Sequence, residues 1–217
     1  MALLEVKQLS KHFGGLTAVG DVTMALEMGE LVGLIGPNGA GKTTLFNLLT
    51  GVYEPSEGTI VLNGQLLNGK SPDKIASLGL SRTFQNIRLF KNMTVLENVL
   101  IGLANQGKSH FWSSLLRLPK FYQTEAALKE EALSLLARFQ LEGEAETLAK
   151  NLPYGQQRRL EIVRALATKP KILFLDEPAA GMNPQETAEL TALIRQLKTD
   201  FGITIILIEH DMSLVME

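Results

Sequence analysis

The chain contains no cysteine in 217 residues, which excludes disulfides and thiolate metal sites and fits a cytoplasmic protein. Long apolar runs are missing too. The longest candidates, such as Ile203 to Ile208, have strand length, far short of the roughly 20 residues that cross a bilayer. The N-terminal segment Met1 to Lys7 carries an acid at Glu5 and no cationic stretch ahead of an apolar core, so it is not a secretory signal. Charge of one sign is also scarce. The net charge of −2 gives no basic footprint for nucleic acid and argues against a role in DNA repair or on the ribosome. Repeats and low-complexity segments are absent. The remaining composition, 45% hydrophobic and 20% charged, is that of a globular chain with one domain, or one domain carrying a substantial inserted lobe.

Against this plain background, Gly36, Pro37, Asn38, Gly39, Ala40, Gly41, Lys42 and Thr43 spell a phosphate-binding loop. The apolar run Leu31 to Ile35 predicts a buried strand that delivers the loop, and Thr44 to Leu49 predicts an apolar-faced helix that leaves it. The glycines let successive backbone N–H groups turn inward around phosphates. Lys42 brings a positive charge to the outer two phosphates, and the Thr43 hydroxyl is a ligand for Mg²⁺. The helix dipole beginning near Thr44 points at the same anion. The chain is therefore expected to bind a nucleoside triphosphate.

Short strands are predicted at Leu3 to Lys7, Val22 to Leu26, Glu30 to Ile35 and Gly58 to Gly64. Strand, loop and helix open an α/β nucleotide-binding core. From about residue 87 to 167 the periodicity turns helical: Leu128, Ala132, Leu135, Leu136 and Phe139 fall on one face behind a candidate cap at Thr124. Continuous apolar runs return at Ile172 to Leu175 and Ile203 to Ile208, as in strands of a parallel sheet covered on both faces. Between them Asn183, Pro184 and Glu186 predict a capped helix with Leu190, Leu193, Ile194 and Leu197 as its buried stripe and Gly202 as its stop.

The run Lys171 to Leu175 leads into Asp176 and Glu177. Two carboxylates at the mouth of an apolar strand repel and lose solvation unless a cation or a reaction needs them. Adjacent strand residues point opposite ways, which divides the work: Asp176 to orient Mg²⁺ or its water, Glu177 to reach a water attacking the γ-phosphate.

These motifs, with Ser81 to Gln85, Leu152 to Arg159 and Ile208 to Asp211 in that order, make the whole chain resemble the ATP-binding cassette (ABC) ATPases. Phe84 to Phe90, the Tyr154-Gly155-Gln156-Gln157-Arg158-Arg159 variant, Asp176 to Gly181 and Glu209 to Met212 are similar to the ATPase subunits of branched-chain amino-acid importers, with urea and amide importers sharing much of the pattern. The resemblance implies a P-loop NTPase core with an antiparallel β portion (residues 1–86 and 168–217) and an inserted helical lobe (about 87–167). It also implies further strands and helices after residue 217, so the sequence is expected to be truncated there.

By the same resemblance, Phe13 stacks on adenine, a position usually held by Tyr; from the residues alone Phe13 is as readily a core ring. Gln85 touches Mg²⁺ and the attacking water, and His210 contacts the γ-phosphate. Leu152, Gly155 and Gln156 belong to the signature that binds the ATP held by an opposite subunit. Pro153 replaces a serine whose hydroxyl usually reaches that phosphate, and Pro supplies neither hydroxyl nor N–H. Asn183 replaces an Asp, and capping suffices to explain it. The aromatic segment 111–122, including Trp112, with Leu89 and Phe90, reads as core or as a groove for a permease helix.

The implied partners are a second ABC ATPase subunit in a homo- or heterodimer, integral membrane permease subunits and, indirectly, a solute-binding protein. No nucleic acid is expected. ATP and Mg²⁺ are the expected ligands, and the location is the cytoplasmic face of the membrane through the permease. The rival readings are a soluble ABC ATPase acting on nucleic acid or ribosomes, which usually carries linked cassettes or basic patches, and a nucleotide-binding module with little turnover.

Overall fold

The computed structural model describes residues 2–104 and 119–209, with side chains omitted at 119–124. Its contacts separate two compact units, one falling within Met1–Gln85, Pro170–Ala180 and Thr187–Glu217, the other formed by Asn86–Lys169 and Gly181–Glu186.

The first unit carries two sheets. An antiparallel sheet has the order β2-β1-β4-β5, from β1 (Leu4–Phe13), β2 (Leu16–Leu26), β4 (Glu57–Leu62) and β5 (Gln65–Leu66). A parallel sheet has the order β3-β8-β7-β6, from β3 (Leu31–Ile35), β6 (Leu80–Arg82), β7 (Ile172–Asp176) and β8 (Thr204–Glu209). One apolar cluster, including Leu4, Phe46, Leu49, Ile60, Phe174 and Ile208, lies beneath both. At about 25 cal/mol per Å² of apolar surface removed from water, each such side chain stabilises the fold by about 1.5–3 kcal/mol.

Strands β7 and β8 are buried at every position, as their unbroken apolar runs predict. Strand β3 is not. It pairs only with β8, so it is an edge strand, and its residues are half-buried with Ile35 exposed. The hairpin β1–β2 is longer than its apolar pattern predicts. Register shifts interrupt the pairing between Val6 and Leu9, and Gln8 and Asp21 have φ of 49°. Such irregularities reset the inside–outside alternation on which a period-two reading depends.

Because β3, β7, β8 and β6 are parallel, their carboxyl ends share one edge. Ile35 pairs with Glu209, Asp176 with Ile208, and Arg82 with Phe174. The phosphate loop, the acidic pair and the segment Thr83 to Gln85 all leave the sheet there, the edge where open α/β sheets bind ligands. Helix α1 (Lys42–Leu49) follows the loop, and the short α2 (Pro72–Ser77) precedes β6.

The second unit is built on α3 (Val95–Ala104), α4 (Pro119–Arg138) and α5 (Tyr154–Ala167). Val95, Val99, Leu103, Ala132, Leu136, Phe139, Leu160 and Val163 fill its core. Gly102 lets α3 approach α5 closely: a β-carbon there would lie 2.6 Å from the Arg164 carbonyl oxygen. Thr94 and Glu97 form a reciprocal cap on α3, at 2.7 and 3.1 Å. Thr124 does not stand at the start of a helix, because it falls within α4, whose described residues run from Pro119 to Arg138. Helix α6 (Pro184–Phe201) is capped as its sequence predicts: the Asn183 side chain accepts from the Glu186 N–H at 2.9 Å, and the Glu186 carboxylate accepts from the Asn183 N–H at 3.0 Å. Gly202, at φ 59°, ends it.

Candidate nucleotide site

Residues 37–40 of the loop are exposed, Gly36 is half-buried, and the chain turns at Ala40, whose N–H donates to the Pro37 carbonyl at 3.2 Å. Gly39 and Gly41 adopt φ of 83° and 84°, the left-handed region that L side chains avoid. Gly41 is needed for a second reason. A β-carbon there would run into the carbonyl oxygen of Ala18 on β2. Gly41→Ala is therefore expected to cost about 1–2 kcal/mol for the backbone alone, with the collision added to it. Because the collision pushes the loop off β2, ATP affinity should fall at least about tenfold, equal to about 1.4 kcal/mol; a thermal melt and an ATP titration check the two effects.

Lys42 lies at the head of α1 with only 8% of its surface exposed. Its ammonium donates to the Gly36 and Pro37 carbonyls at 2.5 and 3.0 Å, reaching back across the loop it follows. Thr43 is exposed and Thr44 half-buried beside it. Phe13, at the tip of β1, is 43% exposed and so is not a core ring. It meets Tyr53 edge-on at 5.4 Å, and the Lys11 ammonium lies 5.2 Å from its centroid.

At the end of β7, Asp176 is buried and Glu177 is the first residue beyond the strand. Glu177 has φ 47°, an uncommon conformation for a residue with a side chain, held by its N–H donating to the Ile208 carbonyl at 3.1 Å. Its Oε2 accepts from Gln85 Nε2 at 3.0 Å. Asp176 Oδ2 accepts from Arg82 at 2.7 Å, and Asp176 N–H lies 3.4 Å from the Thr83 hydroxyl. The segment 82–85 thus holds both acids, with Arg82 on one and Gln85 on the other.

Arg82 lies inside the Ser81 to Gln85 motif, but the motif assigns it no role. A short edge strand of three residues carries too little pattern to draw notice, although a basic residue three positions before Gln85 in an otherwise neutral stretch is a signal in retrospect. Glu209 is a second such residue: buried at the end of β8, its carboxylate accepts from the Ala179 N–H at 3.3 Å and braces the turn after Glu177.

The signature segment lies in the second unit. Leu152 is buried, and its carbonyl accepts from Gln157 Nε2 at 2.8 Å. Pro153 precedes α5, and its carbonyl takes the Gln157 N–H at 2.9 Å. Gly155 is buried rather than presented to solvent: Glu186 Oε1 lies 3.0 Å from the point where its β-carbon would stand. Gln156 is half-buried and Tyr154 exposed. In the same unit, burial in apolar surroundings lowers the Arg164 pKa, opposed by Glu161, and its guanidinium lies 5.3 Å from the exposed Phe90 ring. His210 and the aromatic residues 111–118 lie outside the described residues, as do the side chains of Phe121 and Tyr122.

A glycine loop between strand and helix, a lysine folded over it and two acids at the end of β7, one strand away across β8, define a phosphate-loop nucleotide-binding protein. The chain belongs to the ABC transporter family, whose profile matches residues 19–180. It is 51% identical over 214 residues to the high-affinity branched-chain amino acid transport ATP-binding protein LivG of Escherichia coli (strain K12), covering 99% of this chain and 84% of that protein. Among solved structures, the ADP conformation of an ATP-binding cassette of an ABC transporter superposes with a TM-score of 0.82 at 33% identity, covering 99% of this chain and 84% of the other. A dimeric post-hydrolysis ATP-binding cassette bound to ADP and phosphate gives 0.80 at 25% identity, covering 97% and 89%. The fold is therefore that of the ABC ATPase domain. No helix among the described residues is long and apolar enough to cross a membrane.

Proposed function

We propose that this chain is the ATP-hydrolysing subunit of an ABC importer for branched-chain or other hydrophobic amino acids, powering uptake through a separate membrane permease. The observation that carries the catalytic part is Glu177, held at a strained backbone angle at the sheet edge from which the phosphate loop also leaves, and hydrogen-bonded to Gln85. The likeness to a branched-chain amino acid transport ATP-binding protein supports the solute class.

Phe13 takes adenine against its exposed ring, and Gly36 to Thr44 take the phosphates through backbone N–H groups. Lys42 exchanges its bonds to the loop carbonyls for the outer phosphate oxygens. Glu177 accepts the proton of a water that attacks the γ-phosphorus, the bond to the β-phosphate oxygen breaks, and ADP and phosphate leave. Gln85 orients that water, since an amide both donates and accepts.

The donor set suits magnesium. Thr43, Asp176 and Gln85 offer hard oxygen ligands, and the described residues contain no group of three or more His, Cys, Asp or Glu side chains that would make a protein cage. Mg²⁺ characteristically keeps waters and binds through phosphate plus one or two side chains. When bound, it neutralises charge on the phosphate oxygens.

Two subunits close around two ATP molecules, with Leu152, Gly155 and Gln156 of one facing the nucleotide of the other, and His210 contacting the γ-phosphate. The dimer, with the chain held peripherally on the cytoplasmic face through the permease and a solute-binding protein upstream, couples closure to transport. The dimeric cassette structure supports this arrangement. Reconstitution with the permease and binding protein in vesicles tests it: ATP-dependent uptake of labelled leucine, isoleucine or valine is expected. ATP hydrolysis without such uptake would reject the solute class, and ATP binding without hydrolysis would leave only a nucleotide-binding module.

A further inference from the structure

Arg82 is held by several partners beside the acidic pair. Its side chain is 8% exposed and that of Asp176 is 4% exposed. One guanidinium nitrogen donates to Asp176 Oδ2 at 2.7 Å, while another reaches Asn47 Oδ1 at 2.6 Å and Thr50 Oγ1 at 3.3 Å. The rings of Phe46 and Phe84 flank the group at 5.6 and 5.1 Å. Asn47 lies on α1, the helix that begins at Lys42, and Thr50 immediately follows it. One planar cation therefore ties the helix leaving the phosphate loop to the carboxylate at the end of β7.

A buried ion pair is poor material for stability alone, because apolar packing of the same volume commonly does as well. This one is not even fully satisfied: Arg82 Nε is buried without a partner. What the arrangement does supply is direction. Oδ2 of Asp176 is fixed by a fork whose other prong is anchored on α1, so the carboxylate cannot rotate independently of the phosphate-loop helix.

We infer that Arg82 is a positioning residue that aims Asp176 for nucleotide-linked magnesium, acting through the carboxylate and not on the phosphates themselves. The inference rests on the proposed reading of the site as a magnesium–ATP site. Partners that orient metal ligands typically change metal affinity by about 10–100-fold when removed.

Calorimetric titration of ATP into the full chain, with EDTA and across a magnesium series, separates the effects. Arg82→Met is expected to bind magnesium-free ATP within about threefold of the parent, while needing about 10–100-fold more magnesium to reach the tight form. In an Asp176→Asn background, Arg82→Met should add nothing further, since the group it aims is already gone. Arg82→Lys should fall between parent and Arg82→Met, keeping charge but not the fork. An unchanged magnesium requirement in folded Arg82→Met overturns the inference. So does an additive loss in the double variant, or magnesium-free binding that declines in step. If Arg82→Met does not fold, parent-like magnesium dependence in Arg82→Lys overturns it equally. A parent chain lacking magnesium-dependent ATP binding would sink the reading of the site along with it, whereas a normal parent with indifferent Arg82 variants would sink this inference alone.

Discussion

Glu177→Gln is expected to bind ATP within a few-fold of the parent chain and to lose about 100-fold or more in turnover, the scale of a removed general base. The substitution keeps length and shape. Gln can still accept from Gln85 Nε2, which lies 3.0 Å from Oε2, and the backbone bond from residue 177 to the Ile208 carbonyl is untouched. What disappears is the capacity to take a proton. Since the φ of 47° is set by that backbone bond and the turn to Ala180, the variant should melt close to the parent temperature, so lost turnover would not be a folding effect. Phosphate release measured beside ATP titration checks both halves. With ATP uncleaved, the closed dimer should also accumulate on a sizing column. Full turnover by Glu177→Gln would remove the carboxylate from the chemistry and return the acidic pair to a structural role.

The parts of the site that could be read in advance are those whose physics is local. The phosphate loop declares itself because only glycine tolerates φ of 83° and 84° at residues 39 and 41, and the strands β7 and β8 because burial on both faces leaves unbroken apolar runs, Ile172 to Leu175 and Ile205 to Ile208. The cap on α6 is legible for the same reason, its two partners being three residues apart. What stayed hidden depends on distant pairing. Arg82 and Asp176 are 94 residues apart, and nothing in the local pattern of β6 says which acid it will meet. Bulges at Gln8 and Asp21 scrambled the alternation of the first hairpin, and Gly155 met a carboxylate from another segment, Glu186, that its own helix gave no sign of.

Lys42→Ala should abolish hydrolysis and weaken ATP binding by about 100-fold or more, and the size of that loss follows from what one ammonium does in the loop. It donates to two carbonyls, Gly36 and Pro37, while 8% exposed. Hydrogen bonds to a charged group contribute about 1.5–3 kcal/mol each. Binding exchanges those two carbonyl bonds for bonds to phosphate oxygens, so the gain is the added ion–ion attraction, about 4 kcal/mol for one pair about 4 Å apart at an effective dielectric near 20, which exceeds the roughly 2.8 kcal/mol that a hundredfold affinity change requires. Ala is a good helix former at the head of α1, and deleting the cation leaves no buried acid unpaired, because its partners are the Gly36 and Pro37 carbonyls. Circular dichroism should therefore look unchanged while binding collapses. That contrast is informative beside Gly41→Ala, which disturbs the shape of the loop and leaves the charge, and so should lose stability together with affinity. If Lys42→Ala instead bound magnesium ATP as the parent does, the folded-over lysine would be only a clasp for the turn, and the triphosphate would have to lie elsewhere.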